Sequence, residues 1–174
     1  MRSALFVMLL TASAFGQQES SAPVAACGPK TTSFDVKLDE SQHTLAQPEP
    51  GKALVYFVQD IGEVNCFDSC LTTKIGLDGA WVGANQHNAY FSMSVEPGEH
   101  HVCANPQSHV GWIRRQVALA NFTAEVGKVY YFRTRGFFGG NQLLFDLDPV
   151  DSDQAKYLIS SYPLSVSHPK PVRR

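Results

Sequence analysis

Residues able to do chemistry gather at two places in this chain, Cys66-Phe67-Asp68-Ser69-Cys70 and His100-His101-Val102-Cys103. A fourth cysteine, Cys27, stands apart near the N-terminus. Oxidised, the four make disulfides, with three pairings open. Cys66 and Cys70 can close a local loop, and Cys27 with Cys103 would then pin the N-terminal arm to the core. In the chain-entropy model the long loop contributes on the order of 4 kcal/mol and the short one less. Reduced, Cys66, Cys70, Cys103 and His101 could form a soft site for copper(I) or zinc. On a strand, His101 and Cys103 share a face, while His100 points the other way with Val102. Cys66-x3-Cys70 is not the usual C-x2-C zinc spacing, so disulfides are the expected state and metal is the alternative. No other cofactor is expected. His100 reads as a residue that orients a turn through a hydrogen bond.

Catalytic patterns are absent. There is no Gly-x-Ser-x-Gly elbow. A thiol–disulfide enzyme would want C-x-x-C at a helix N-terminus, which the 66–70 loop does not offer. Glu96 and Glu99 flank a turn, and nothing in the sequence puts them across a common cleft. The glycine-rich run 136–140 precedes a strand rather than a helix, so it reads as a hairpin tip and not a phosphate cradle. The expectation is a protein that is not an enzyme. Aromatic residues near strand ends suit a binding surface for a partner protein or glycan. Trp112, beside Arg114 and Arg115 in a polar loop, is the foremost candidate, followed by Trp81, Phe137 and Phe138.

Residues 1–16 read as a signal peptide: Arg2, an apolar stretch over 4–14, and Ala14 and Gly16 at the small-residue positions before Gln17. The stretch is too short for a bilayer, which needs roughly 20 apolar residues. No later segment is long enough to span, so a secreted or periplasmic location follows. Val24-Ala25-Ala26-Cys27 has the shape of a lipoprotein site, but polar residues 17–21 separate it from the apolar region, so a lipid anchor at Cys27 is the lesser alternative. A net charge of −2 and a pI near 6.3, with no basic stripe, argue against nucleic acid as a partner.

The elements that must position these residues read as strands. Phe34, Val36 and Leu38 alternate with charged residues, the signal of a half-buried strand. Ala53–Val58 is a continuous apolar run, as in a central strand. Further strands are expected over 73–77, 80–83, 90–95, 99–105, 116–124, 129–134 and 143–147, with Asp78-Gly79 and Pro97-Gly98 as turns. A helix is expected over about 151–161, with Asp151 as its cap, Ala155, Leu158 and Ile159 as its apolar face, and Pro163 as its stop. The organisation expected is a signal peptide (1–16), a flexible arm (17–32), one β domain (33–162) and an extended tail (163–174). The fold class is all-β, an antiparallel β-sandwich of about eight strands with one short C-terminal helix.

Four blocks carry a resemblance. Pro50-Gly51-Lys52-Ala53-Leu54-Val55-Tyr56-Phe57, Leu77-Asp78-Gly79-Ala80-Trp81-Val82-Gly83, Tyr90-Phe91 with Val95-Glu96-Pro97-Gly98-Glu99-His100, and Phe122 through Phe132 occur in order. Together they resemble the DUF2846 family, exported bacterial domains of unassigned function. The resemblance covers about residues 48–148 and implies a β-sandwich without implying an activity. The Asp-Gly and Pro-Gly blocks are also similar to small PEGA-type surface modules. The cysteine loop, His101 and the helix lie outside the general pattern.

Overall fold

The computed structural model describes residues 26–41, 45–62, 71–107, 117–140 and 142–171. The signal-peptide reading, Cys66, Cys70, Trp112, Arg114 and Arg115 lie outside the described residues, as does the side chain of Phe138.

Among the described residues ten strands and one helix follow in the order β1 (Phe34–Asp39), β2 (Ala53–Asp60), β3 (Thr72–Leu77), β4 (Ala80–Gln86), β5 (Ala89–Val95), β6 (Gly98–Pro106), β7 (Ala118–Ala124), β8 (Val129–Gly139), β9 (Gln142–Pro149), α1 (Ser152–Ser161) and β10 (Leu164–Pro169). They form a six-stranded sheet, β1-β10-β5-β2-β8-β9, facing a four-stranded sheet, β4-β3-β6-β7.

The continuous apolar run of β2 is explained by burial on both faces. Ala53, Val55 and Phe57 face the inter-sheet core with Ile75, Leu77, Phe91, Val102 and Phe132. Leu54, Tyr56 and Val58 face outward, where Leu158 and Ile159 of α1 cover them. Asp151 caps the helix, accepting from the backbone N–H of Asp153 and Gln154.

Two expectations need correction. Among the described residues the strands number ten, and the larger sheet is mixed rather than antiparallel. β2 and β8 run parallel from Leu54↔Val129 to Asp60↔Arg135, and β10 meets β5 at one parallel pair, Leu164↔Tyr90. Sequential strands pair as hairpins only when they stay in one sheet. Here β7 and β8 lie in different sheets, so β8 enters beside β2 without a hairpin to fix its direction. The additional strand is the stretch read as a tail. β10 pairs with β1 over six residues, Phe34↔Pro169 to Asp39↔Leu164. Its prolines, Pro163 and Pro169, flank or end the strand, where a missing N–H costs no ladder bond.

Two turns set the site apart from the core. Asp78 and Gly79 have φ of +49° and +85°, the type I′ geometry that two-residue hairpins favour. Pro97-Gly98 is not a hairpin but the corner where the chain leaves β5 for β6 in the other sheet.

Candidate functional site

On β3, Ile75 and Leu77 face the core, so Lys74 and Gly76 face outward. On β6 the same alternation turns Cys103 outward, directly opposite Gly76. Residues 26–32, expected to belong to a flexible arm, lie across this outer face. Cys27 is disulfide-bonded to Cys103, with a Cα–Cα distance of 5.3 Å. The Trp81 indole N–H donates to the carbonyl of Pro29 (2.7 Å), and the Lys74 ammonium donates to that of Thr32 (2.8 Å). Gln107 ends the docked stretch as a side-chain extension of a β ladder. Its Oε1 accepts from Phe34 N–H (2.7 Å), and its Nε2 donates to Phe34 C=O (2.8 Å).

Two glycines permit this close approach. A Cβ on Gly76 would lie 2.7 Å from the carbonyl oxygen of Ala26, and one on Gly28 would lie 2.5 Å from the Trp81 ring. Neither position has room for a side chain.

Between the arm and the β6–β7 side of the sheet lies a cavity of about 690 Å³. Its lining includes Lys30, Thr31, Thr32, Lys74, Trp81 and Asn105, and among the described residues no Asp or Glu. Lys74 is only 5% exposed, and its ammonium sits 4.2 Å from the Trp81 ring centroid. Loss of water around the buried ammonium pushes its pKa down. Among the described residues no carboxylate pairs with it. Beside the cavity Val117 and Leu119, on and just before the outermost strand β7, are exposed, Leu119 at 65%.

Of the sequence candidates, Trp81 is in this cavity. Gln107 and Val117, which also line it, flank the segment carrying Trp112, Arg114 and Arg115. Phe137 is exposed on β8 in the other sheet and does not line the cavity. Cys103 shares its outward face with His101 as expected, but its sulfur is bonded to Cys27. That removes a thiolate which the alternative metal set needs. Among the described residues no cluster of three or more His, Cys, Asp or Glu can hold a metal.

His100 does orient a turn. Its Nδ1 lies 2.6 Å from Asp78 Oδ2 and its Nε2 lies 2.7 Å from the carbonyl oxygen of Glu96. The ring thus ties the β3–β4 turn to the β5–β6 corner, packed against Phe122. Asp78 also accepts from the backbone N–H of His101 (2.8 Å). Both imidazole nitrogens face acceptors, which only the doubly protonated ring can satisfy. Burial opposes the charged ring, but the bonds to Glu96 and Asp78 outweigh it, and the His100 pKa rises. For Asp78 burial works upward, yet the bonds from His101 and His100 hold the carboxyl below its usual range.

Sequence reasoning missed Lys74, Gly28, Gly76 and Gln107. Gly76 in the middle of a strand carried a readable signal, since such a glycine often marks a close backbone approach. Lys74 carried none, because an outward lysine on a strand is ordinarily a solvated one.

Comparison with known proteins gives one family match. The model of a protein family of unknown function, DUF2846, matches residues 49–146, more than half of the chain. No curated protein and no solved structure matches. Among the described residues no helix is long and apolar enough to cross a membrane.

Proposed function

Because the chain belongs to the DUF2846 family, whose description assigns no activity, we propose a function from the site itself: an exported, non-catalytic module of the cell envelope that binds a partner protein or glycan. The observation that carries this is the cavity walled by the docked arm, with Trp81 and Lys74 at its base and Leu119 exposed at its side. An aromatic ring, hydroxyl and amide groups, and an apolar rim suit recognition. The engagement of both His100 nitrogens in holding turns favours a binding role over acid–base chemistry. Cys27 in a disulfide fits an oxidising compartment. Export is tested by N-terminal sequencing of the protein from its host, which should begin at Gln17.

The binding test is a glycan array and a cross-linking screen against envelope fractions, run with wild type and Trp81→Ala. A glycan or protein retained by wild type and lost by the variant is the expected result. Identical retention by both contradicts the assignment of the site.

A further inference from the structure

We infer that the cavity takes a carboxylate, seated on the Lys74 ammonium between the arm and Trp81. This rests on the binding reading above and narrows its ligand to an acidic one.

The inference follows from an unbalanced charge. An ammonium withdrawn from water to 5% exposure is costly unless a counter-charge and hydrogen bonds replace the water. Lys74 carries three N–H donors. Thr32 C=O takes one, and the Trp81 face attracts the charge without neutralising it. Among the described residues the half-buried cations Lys52 and Arg133 are treated differently: Lys52 lies 3.1 Å from Glu49 and Arg133 lies 3.7 Å from Asp60. Lys74 faces a cavity whose described lining contains a second lysine, Lys30, and no acid. The field inside is therefore positive although the whole chain carries −2. One buried ammonium matches one monoanion. The hydroxyls of Thr31 and Thr32 and the amide of Asn105 remain for the rest of the ligand, whereas both ends of the Gln107 amide are held by Phe34.

Two small molecules supply the carboxylate from different sources, glucuronate and N-acetyl-alanyl-alanine. Their neutral twins are glucose and the dipeptide amide. Each is titrated into the oxidised protein while the Trp81 indole N–H resonance is followed by NMR. The expected result is a saturable shift with at least one carboxylate and none with its twin. Lys74→Gln should weaken that binding by about tenfold or more, the worth of a hydrogen bond to a charged group. Lys30→Gln, on an exposed residue that cannot unseat the fold, should weaken it by about threefold, and raised salt should do the same. Equal shifts from charged and neutral twins would overturn the carboxylate but leave a binding cavity. Silence from all four compounds also overturns it. The binding reading falls with it only if the screens above yield no Trp81-dependent ligand.

Discussion

At the scale of single residues, His100 and Lys74 are opposite cases. His100 is a charged ring with acceptors on both sides, so its folded pKa lies above the ordinary 6.5. The sign follows from linkage: its contribution is complete below the unfolded pKa and is lost as pH rises through the raised folded value. Urea midpoints measured from pH 6 upward should fall across that window. His100→Asn should lower the midpoint at pH 6 and flatten the dependence. A wild-type midpoint that rises through the same window would contradict the doubly donating ring. The turn-holding role of His100 was legible in the sequence because it sits two residues past Pro97-Gly98, where a local bond is easy to foresee. The burial of Lys74 was not. It depends on a segment more than forty residues upstream lying over it, and no local pattern encodes that contact.

At the scale of elements, periodicity was an adequate guide where one face meets the core and a weaker one elsewhere. Phe34–Asp39 and Ala89–Val95 were readable from alternation, and β2 from its unbroken apolar run. The helix was readable from its cap and from Ala155, Leu158 and Ile159. β10 was not, because its neighbours are an edge strand and one pair of β5, so only a thin apolar pattern is needed. Its hydroxyls have another use: Ser167 Oγ accepts from Ala84 N–H (3.0 Å) and Ser165 Oγ donates to Ala84 C=O (2.8 Å), joining β10 to the β4 edge of the other sheet. Two stability predictions belong here. Leu158→Ala should cost about 2 kcal/mol, the low end for a buried leucine, because α1 covers an outer face rather than the main core. Gly76→Ala should cost about 1–3 kcal/mol, since the added methyl meets the Ala26 carbonyl. Denaturant titration checks both. A neutral Gly76→Ala would mean that the arm does not lie as close as 2.7 Å over that position.

At the scale of the whole molecule, the sandwich core and the recognition face are separable. The core lies between the sheets, while the face exists because an N-terminal segment is bonded across 76 positions of sequence to β6. Cys27→Ser with Cys103→Ser should therefore lower stability by about 4 kcal/mol in the chain-entropy model, while leaving the β-sheet circular dichroism unchanged. Loss of the sheet signal would show that the arm is part of the folding core. The sequence admitted this pairing without fixing it, since cysteine counting leaves three connectivities. The sandwich was legible, but the parallel pairing of β2 with β8 was hidden for a related reason: strand direction and sheet membership are set by crossings between sheets, not by strand composition.

The binding face is best examined with a photo-cross-linking side chain placed, in turn, at Lys30, Leu119 and Tyr157 of the full-length protein in the cells that make it. Lys30 and Leu119 border the cavity side, whereas Tyr157 is 71% exposed on α1, over the opposite sheet. Adducts from positions 30 and 119, weakened by Trp81→Ala and absent from 157, are the predicted result. Adducts from 157 alone would place recognition on the helix and contradict the arm-covered face as the binding surface.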